Sequence, residues 1–221
     1  MDAGAGVPLG RVVAALLVVL AASPLLAGWS AALAAGVTGR WWWPRPVSRA
    51  RWATVTGIAV LLTVAAGAGR PWPAWLLLAA VGAVLVAVDT ETHRLPARLV
   101  YPLAGVLAAV LVAAAAETGE SDRLLRAGGA AAAVGATWFL VVFLAPAAMG
   151  LGDVRLFAVT AGLLGWIGWP AVVAGQLAAF LLAGVSAVII AAGRPQRRGR
   201  RMRVPMGPAI LSAALLVCWL P

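Results

Sequence analysis

Charge, thiol and imidazole are what this chain has least of. Only 11% of its 221 residues are charged, and it contains seven acids, one histidine, one cysteine and no lysine. A soluble domain carries about a quarter charged residues and under half apolar ones. Here 63% are hydrophobic, which leaves too little polar surface for a protein dissolved in water. The lone Cys218 excludes an intrachain disulfide and a cysteine-based zinc site. With His93 as the single imidazole, a histidine-rich metal centre lacks ligands as well. No metal and no cofactor are expected.

What is present is apolar sequence in long runs. A bilayer-crossing helix needs about 20 apolar residues. Runs at 12–37, 52–69, 72–88, 99–116, 127–149, 156–169, 171–193 and 204–220 predict an all-α polytopic transmembrane bundle of about eight spans. The count falls to seven if the chain does not break at Gly168-Trp169-Pro170. The first run follows Arg11 as a signal peptide would, but no clear cleavage site comes after it and its length suffices to span, so it reads as a retained helix. Residues 1–71 form N-terminal helices with a basic loop, and 72–221 a second unit.

All 17 basic residues are arginine, and they give the formal charge of +10. In a soluble protein that excess would suggest nucleic acid. Here thirteen of them lie in the alternate loops 40–51, 90–98, 150–155 and 194–203. The other side holds Arg11, Arg70, Arg123 and Arg126 together with Glu117, Glu120 and Asp122. The positive-inside bias places the arginine-rich loops in the cytoplasm and both termini outside. Those loops, the six-arginine stretch 194–203 above all, are expected to meet anionic membrane lipid rather than nucleic acid.

Seven acids can be sorted one by one. Asp2 is terminal, Glu91 lies in an inner loop, and Glu117, Glu120 and Asp122 share an outer loop. Asp89 and Asp153 remain, each at the end of an apolar run. A carboxylate at membrane depth costs about 2.5–3.5 kcal/mol, so it is a functional candidate. The plainer alternative makes both of them helix-end residues paired with Arg94 and Arg155. Gly150 and Gly152 favour the functional reading, because glycine lets a backbone bend or approach closely and irregular backbone at this depth needs protein or water to satisfy it. The pattern suggests a small hydrated cavity holding a carboxylate. Met149 and Met206 read as packing residues, and His93 as a solvated loop residue.

Three segments carry a resemblance. Gly150-Leu151-Gly152-Asp153, followed by Val154 and Arg155, resembles the Gly-x-Gly-Asp segment of the type IV prepilin peptidases. Asp89, followed by Leu95 and Pro96, is similar to that family's first-aspartate motif, and Pro205-Met206-Gly207-Pro208 to its closing Pro-x-Gly-Pro. Ala97 stands where the family usually has Asn, and Arg155 where it has Lys. The resemblance implies a bacterial inner-membrane aspartic endopeptidase, with Asp89 and Asp153 as its catalytic pair at the cytoplasmic face. It also implies pilin-like precursors as substrates, cut between a basic leader and an apolar helix. The cysteine-rich module linked with N-methylation in many members is missing, so the resemblance does not extend to methyl transfer. Three other readings stand beside it: an intramembrane protease of the presenilin type, which would carry Tyr-Asp and Pro-Ala-Leu motifs, a small proton-coupled transporter, which would need polar residues lining a path across the bilayer, and a structural membrane scaffold without activity, for which the three motifs would be a coincidence. Oligomeric state and the particular assembly or secretion system are not readable.

Overall fold

A computed structural model describes residues 9–43, 45–147, 149–193 and 204–219. The basic stretch 194–203, from which contact with anionic lipid is expected, lies outside the described residues.

Eight α-helices follow one another: α1 (Leu9–Ala34), α2 (Arg49–Ala65), α3 (Trp72–Thr92), α4 (Ala97–Thr118), α5 (Ser121–Leu144), α6 (Leu151–Ile167), α7 (Trp169–Gly193) and α8 (Gly207–Val217). The break between α6 and α7 falls at Gly168, where the expected count of eight turned on it. Five helices, α1, α3, α4, α5 and α7, are long and apolar enough to cross a bilayer. The protein is a multi-pass helical membrane bundle. At about 1.5 Å per residue, the 21-residue α3 is about 30 Å long, one hydrocarbon thickness. The 11-residue α8 reaches little more than half as far.

Helix ends differ from the apolar runs because polar residues can complete a turn at the headgroup layer. Three residues beyond Asp89, including Glu91, continue α3, so Glu91 is helical and not in a loop. Glu117 lies in the last turn of α4 and Asp122 in the first turn of α5, which shrinks the connection between these helices to Gly119-Glu120. The expected run 204–220 is helical only from Gly207 to Val217. Pro208 sits in the first turn of α8, where its missing N–H leaves no hydrogen bond unmade.

The core lies around α3. Two-thirds of its apolar window is buried, against 11% in α5 and α7, which turn Phe143, Leu144, Leu181 and Ile189 outward. Outward apolar side chains are what a lipid environment asks for, and they leave α3 as the helix most enclosed by protein. Helices α5 and α6 pack closely through small residues. A methyl group on Gly165 would come within 2.7 Å of Ala130 Cβ, one on Gly135 within 3.2 Å of Ala158 Cβ. Small residues let two membrane helices approach where no hydrophobic force drives them together. Arg126 then caps α6 from its neighbour: Nε donates to the Gly165 carbonyl at 2.7 Å and Nη2 to that of Trp166 at 3.1 Å. A cation on those last carbonyls stabilises the helix end by about 0.3–1 kcal/mol.

Candidate active site

Asp89 stands one turn from the end of α3 and is 3% exposed. The helix closes at His93, whose left-handed backbone (φ 53°) turns the chain while its N–H donates to the Asp89 carbonyl at 2.8 Å. Arg94, Leu95 and Pro96 cross to α4. Pro96 is the N-cap there and its carbonyl accepts from Leu99 N–H at 3.0 Å.

The carboxylate of Asp89 is met by a residue 118 positions away. The N–H of Gly207, first residue of α8, donates to Asp89 Oδ2 at 2.8 Å. The first N–H groups of a helix have no partner inside it and carry its positive dipole end, so the carboxylate satisfies a donor that would otherwise be orphaned. The approach is possible only because Gly207 lacks a side chain. A methyl group there would lie 2.9 Å from Asp89 Oδ2 and 3.3 Å from its Cβ. Pro205 and Met206 form the half-buried entry to α8, and Met206 packs against the core.

Asp153 uses the same device on another helix. It occupies the third position of α6, ahead of the helix's apolar run, and its Oδ2 accepts the N–H of the N-cap Gly150 at 3.2 Å. Burial first, and then the charge of Asp89, push the Asp153 carboxyl up to about 6, while the Gly150 N–H pulls the other way. The two aspartates therefore sit within electrostatic reach of each other, each at the positive end of a helix. Two carboxylates so placed do not ionise independently.

Gly152 meets another segment of the chain. A methyl group there would lie 2.8 Å from Leu95 Cβ and 3.0 Å from the Leu95 carbonyl oxygen. The bare Gly152 lets the loop that follows Asp89 lie directly on the first turn of α6. That contact joins the two aspartate-bearing segments, and Leu95 fills the space.

The alternative of helix-end ion pairs does not hold for Arg155. Its Nε donates to Tyr101 Oη at 2.9 Å, and its guanidinium lies 5.1 Å from the centre of the Tyr101 ring. Two positions beyond Asp153 on a helix, it points to another side and ties α6 to α4. Among the described residues, the ion pair at this end of the bundle is Arg51 Nη2 to Glu91 Oε2, 2.7 Å, with the Arg51 Nη1 3.5 Å from Ser30 Oγ. It holds α2 to α3 two residues past Asp89. Tyr101 and Arg51 escape sequence reading because neither lies in a motif, and only the fold brings them to this end.

A model of the type IV leader peptidase family matches residues 75–192. No curated protein and no solved structure matches the chain. The matched stretch is more than half of the chain and holds Asp89, Pro96, Gly150, Gly152, Asp153 and Arg155, the residues that build both aspartate-bearing segments. On that match, this multi-pass membrane protein belongs to the type IV leader peptidase family.

Proposed function

We propose that the protein is an aspartic endopeptidase that removes the basic leader from type IV prepilin-like precursors, using Asp89 and Asp153 as a general acid/base pair. The observation that carries this reading is the placement of two carboxylates, from α3 and α6, at the N-termini of α8 and α6 and within reach of each other's charge. Peptide hydrolysis by such a pair needs one carboxylate ionised, to take a proton from the attacking water, and the other protonated, to give one to the scissile carbonyl. A pair that shares one proton supplies both roles at once. The unit 72–221 carries the chemistry, and the N-terminal helices brace it through Arg51 and Glu91.

The setting suits a substrate with a charged leader and an apolar helix. Asp153 lies at the mouth of a helix and Asp89 one turn inside the end of another, the depth at which such a precursor leaves the membrane. In the orientation we favour, that end faces the bacterial cytoplasm. Cysteines placed in 40–51 or 194–203, with Cys218 replaced, are then protected from an impermeant thiol reagent in intact cells, and one near Glu120 labels. Labelling of 194–203 from outside would reverse the orientation.

The activity test is cleavage of a purified pilin-like precursor by the detergent-solubilised protein, followed across pH. Because the Asp153 carboxyl is raised to about 6, the pair keeps its shared proton below that pH and loses it above. Cleavage at low precursor concentration should therefore fall between pH 6 and pH 8, approaching tenfold per pH unit. A flat profile over that range would show that this pair does not supply the acid, and absence of any cleavage would remove the proposal.

A further inference from the structure

The end of the bundle away from the aspartates holds a cavity of about 900 Å³ between α1, α2, α3, α4 and α5. Its rim carries charges of both signs. Arg123 is paired with Glu120 at 3.1 Å, but the charged groups of Arg11, Arg70 and Glu117 have no hydrogen bond or ion pair among the described residues; Arg70 is engaged through its carbonyl alone, which accepts from Trp75 Nε1 at 3.4 Å. Leu76 of α3 and Val110 and Ala114 of α4 lie deeper along the same wall. Trp72 at the rim and Asp89 lie on the same helix, α3, about 25 Å apart at about 1.5 Å per residue, so the rim stands at the opposite headgroup layer. A cavity charged at its mouth and apolar below, at that height, matches a phospholipid by both halves of its chemistry.

We propose that this cavity binds one aminophospholipid, its phosphate held between Arg11 and Arg70, its ammonium on Glu117, and an acyl chain along Leu76, Val110 and Ala114. Two guanidiniums, Arg11 from α1 and Arg70 from the connection that leads into α3, clamp a phosphodiester through charge-assisted hydrogen bonds. The acid beside them is what selects the amine. A lipid with a phosphate but no amine leaves Glu117 facing the phosphate's oxygens without a donor cation. The bound lipid bridges α1 and α3 to α4 at the end of the bundle that the aspartate contacts do not reach.

The test is native mass spectrometry of the whole protein in detergent, titrated with phosphatidylethanolamine or with phosphatidylglycerol of the same acyl chains. The parent protein is expected to retain one phosphatidylethanolamine and to prefer it about tenfold. Arg70→Gln weakens both lipids about tenfold, and Arg11→Gln, on a separate segment of the chain, repeats that result should one variant fold poorly. Glu117→Gln abolishes the preference while retaining a lipid, a change that a merely structural residue would not produce. Equal retention of the two lipids by the parent, a preference unchanged in Glu117→Gln, or displacement of the lipid by millimolar inorganic phosphate would each overturn the proposal.

Discussion

Asp89→Asn and Asp153→Asn are each expected to lower leader cleavage by about 1,000-fold or more while the protein still inserts and folds. The amide keeps the shape of the carboxyl. Asn at 89 still offers an oxygen to the Gly207 N–H, and Asn at 153 still offers one to the Gly150 N–H, so the two helix ends keep their acceptors. What disappears is the ability to take up and release a proton, which is half of the shared-proton pair in either case. The amide nitrogen that replaces one oxygen at the buried position 89 adds donors there, so the size-exclusion profile of the solubilised variant is compared with the parent's to separate loss of chemistry from loss of folding. Precursor processing in membranes, followed by gel shift, provides the measurement. Glu91→Gln is the control: that side chain is 45% exposed and engaged with Arg51, and its loss should change processing by less than about twofold, in keeping with the small worth of an exposed ion pair. Near-parental cleavage by either Asp variant would end the assignment.

The next largest effects are expected at two glycines. Gly207→Val places a branched side chain where even a methyl group comes within 2.9 Å of the Asp89 carboxylate, so α8 must retreat or Asp89 must rotate away. Gly152→Val does the same to the contact between α6 and the Leu95 loop, where the obstacle at 3.0 Å is a backbone carbonyl that cannot turn aside. Each should cost about 100-fold in cleavage, the scale on which a misplacement of about 1 Å acts on a positioned catalytic group. Leu151→Val provides the comparison, because Leu151 is 46% exposed and its loss disturbs neither contact. Size-exclusion profiles of the solubilised variants check that the bundle persists. If both glycine variants processed precursor at the parental rate, the close approaches around the aspartates would have no bearing on cleavage.

Helix number and class were legible because an apolar run long enough to cross a bilayer has few other outcomes. Helix ends were not, since Glu91, Glu117 and Asp122 sit at the polar layer, where a helix and a loop are equally well solvated. The motifs located Gly150, Gly152, Asp153 and Gly207 without indicating what each glycine touches. Bending and close approach were both open to Gly152, and the structure shows a close approach to Leu95; a missing side chain looks the same in sequence whether water or another segment fills its place. The pairing of Asp89 with a backbone N–H could not have been read at all. Its donor is a main-chain group, identical in every residue but proline, and only the placement of α8 selects it.

The hydrogen bond between Asp89 and Gly207 also sets an order of events during synthesis. The chain emerges at about 5–20 residues per second, so Asp89 is made on the order of 10 s before the donor that lies 118 residues downstream. Through that interval the carboxylate of α3 has no α8 to receive it, and a helix carrying it cannot settle at its final depth as an anion without cost. Proton uptake by Asp89 from the aqueous face would let α3 insert as a neutral segment, and arrival of α8 would then fix the carboxylate. Assembly of the two aspartates is in this way tied to completion of the chain as far as Gly207. A nascent chain stalled short of that residue holds both aspartates but lacks the backbone donor that receives Asp89.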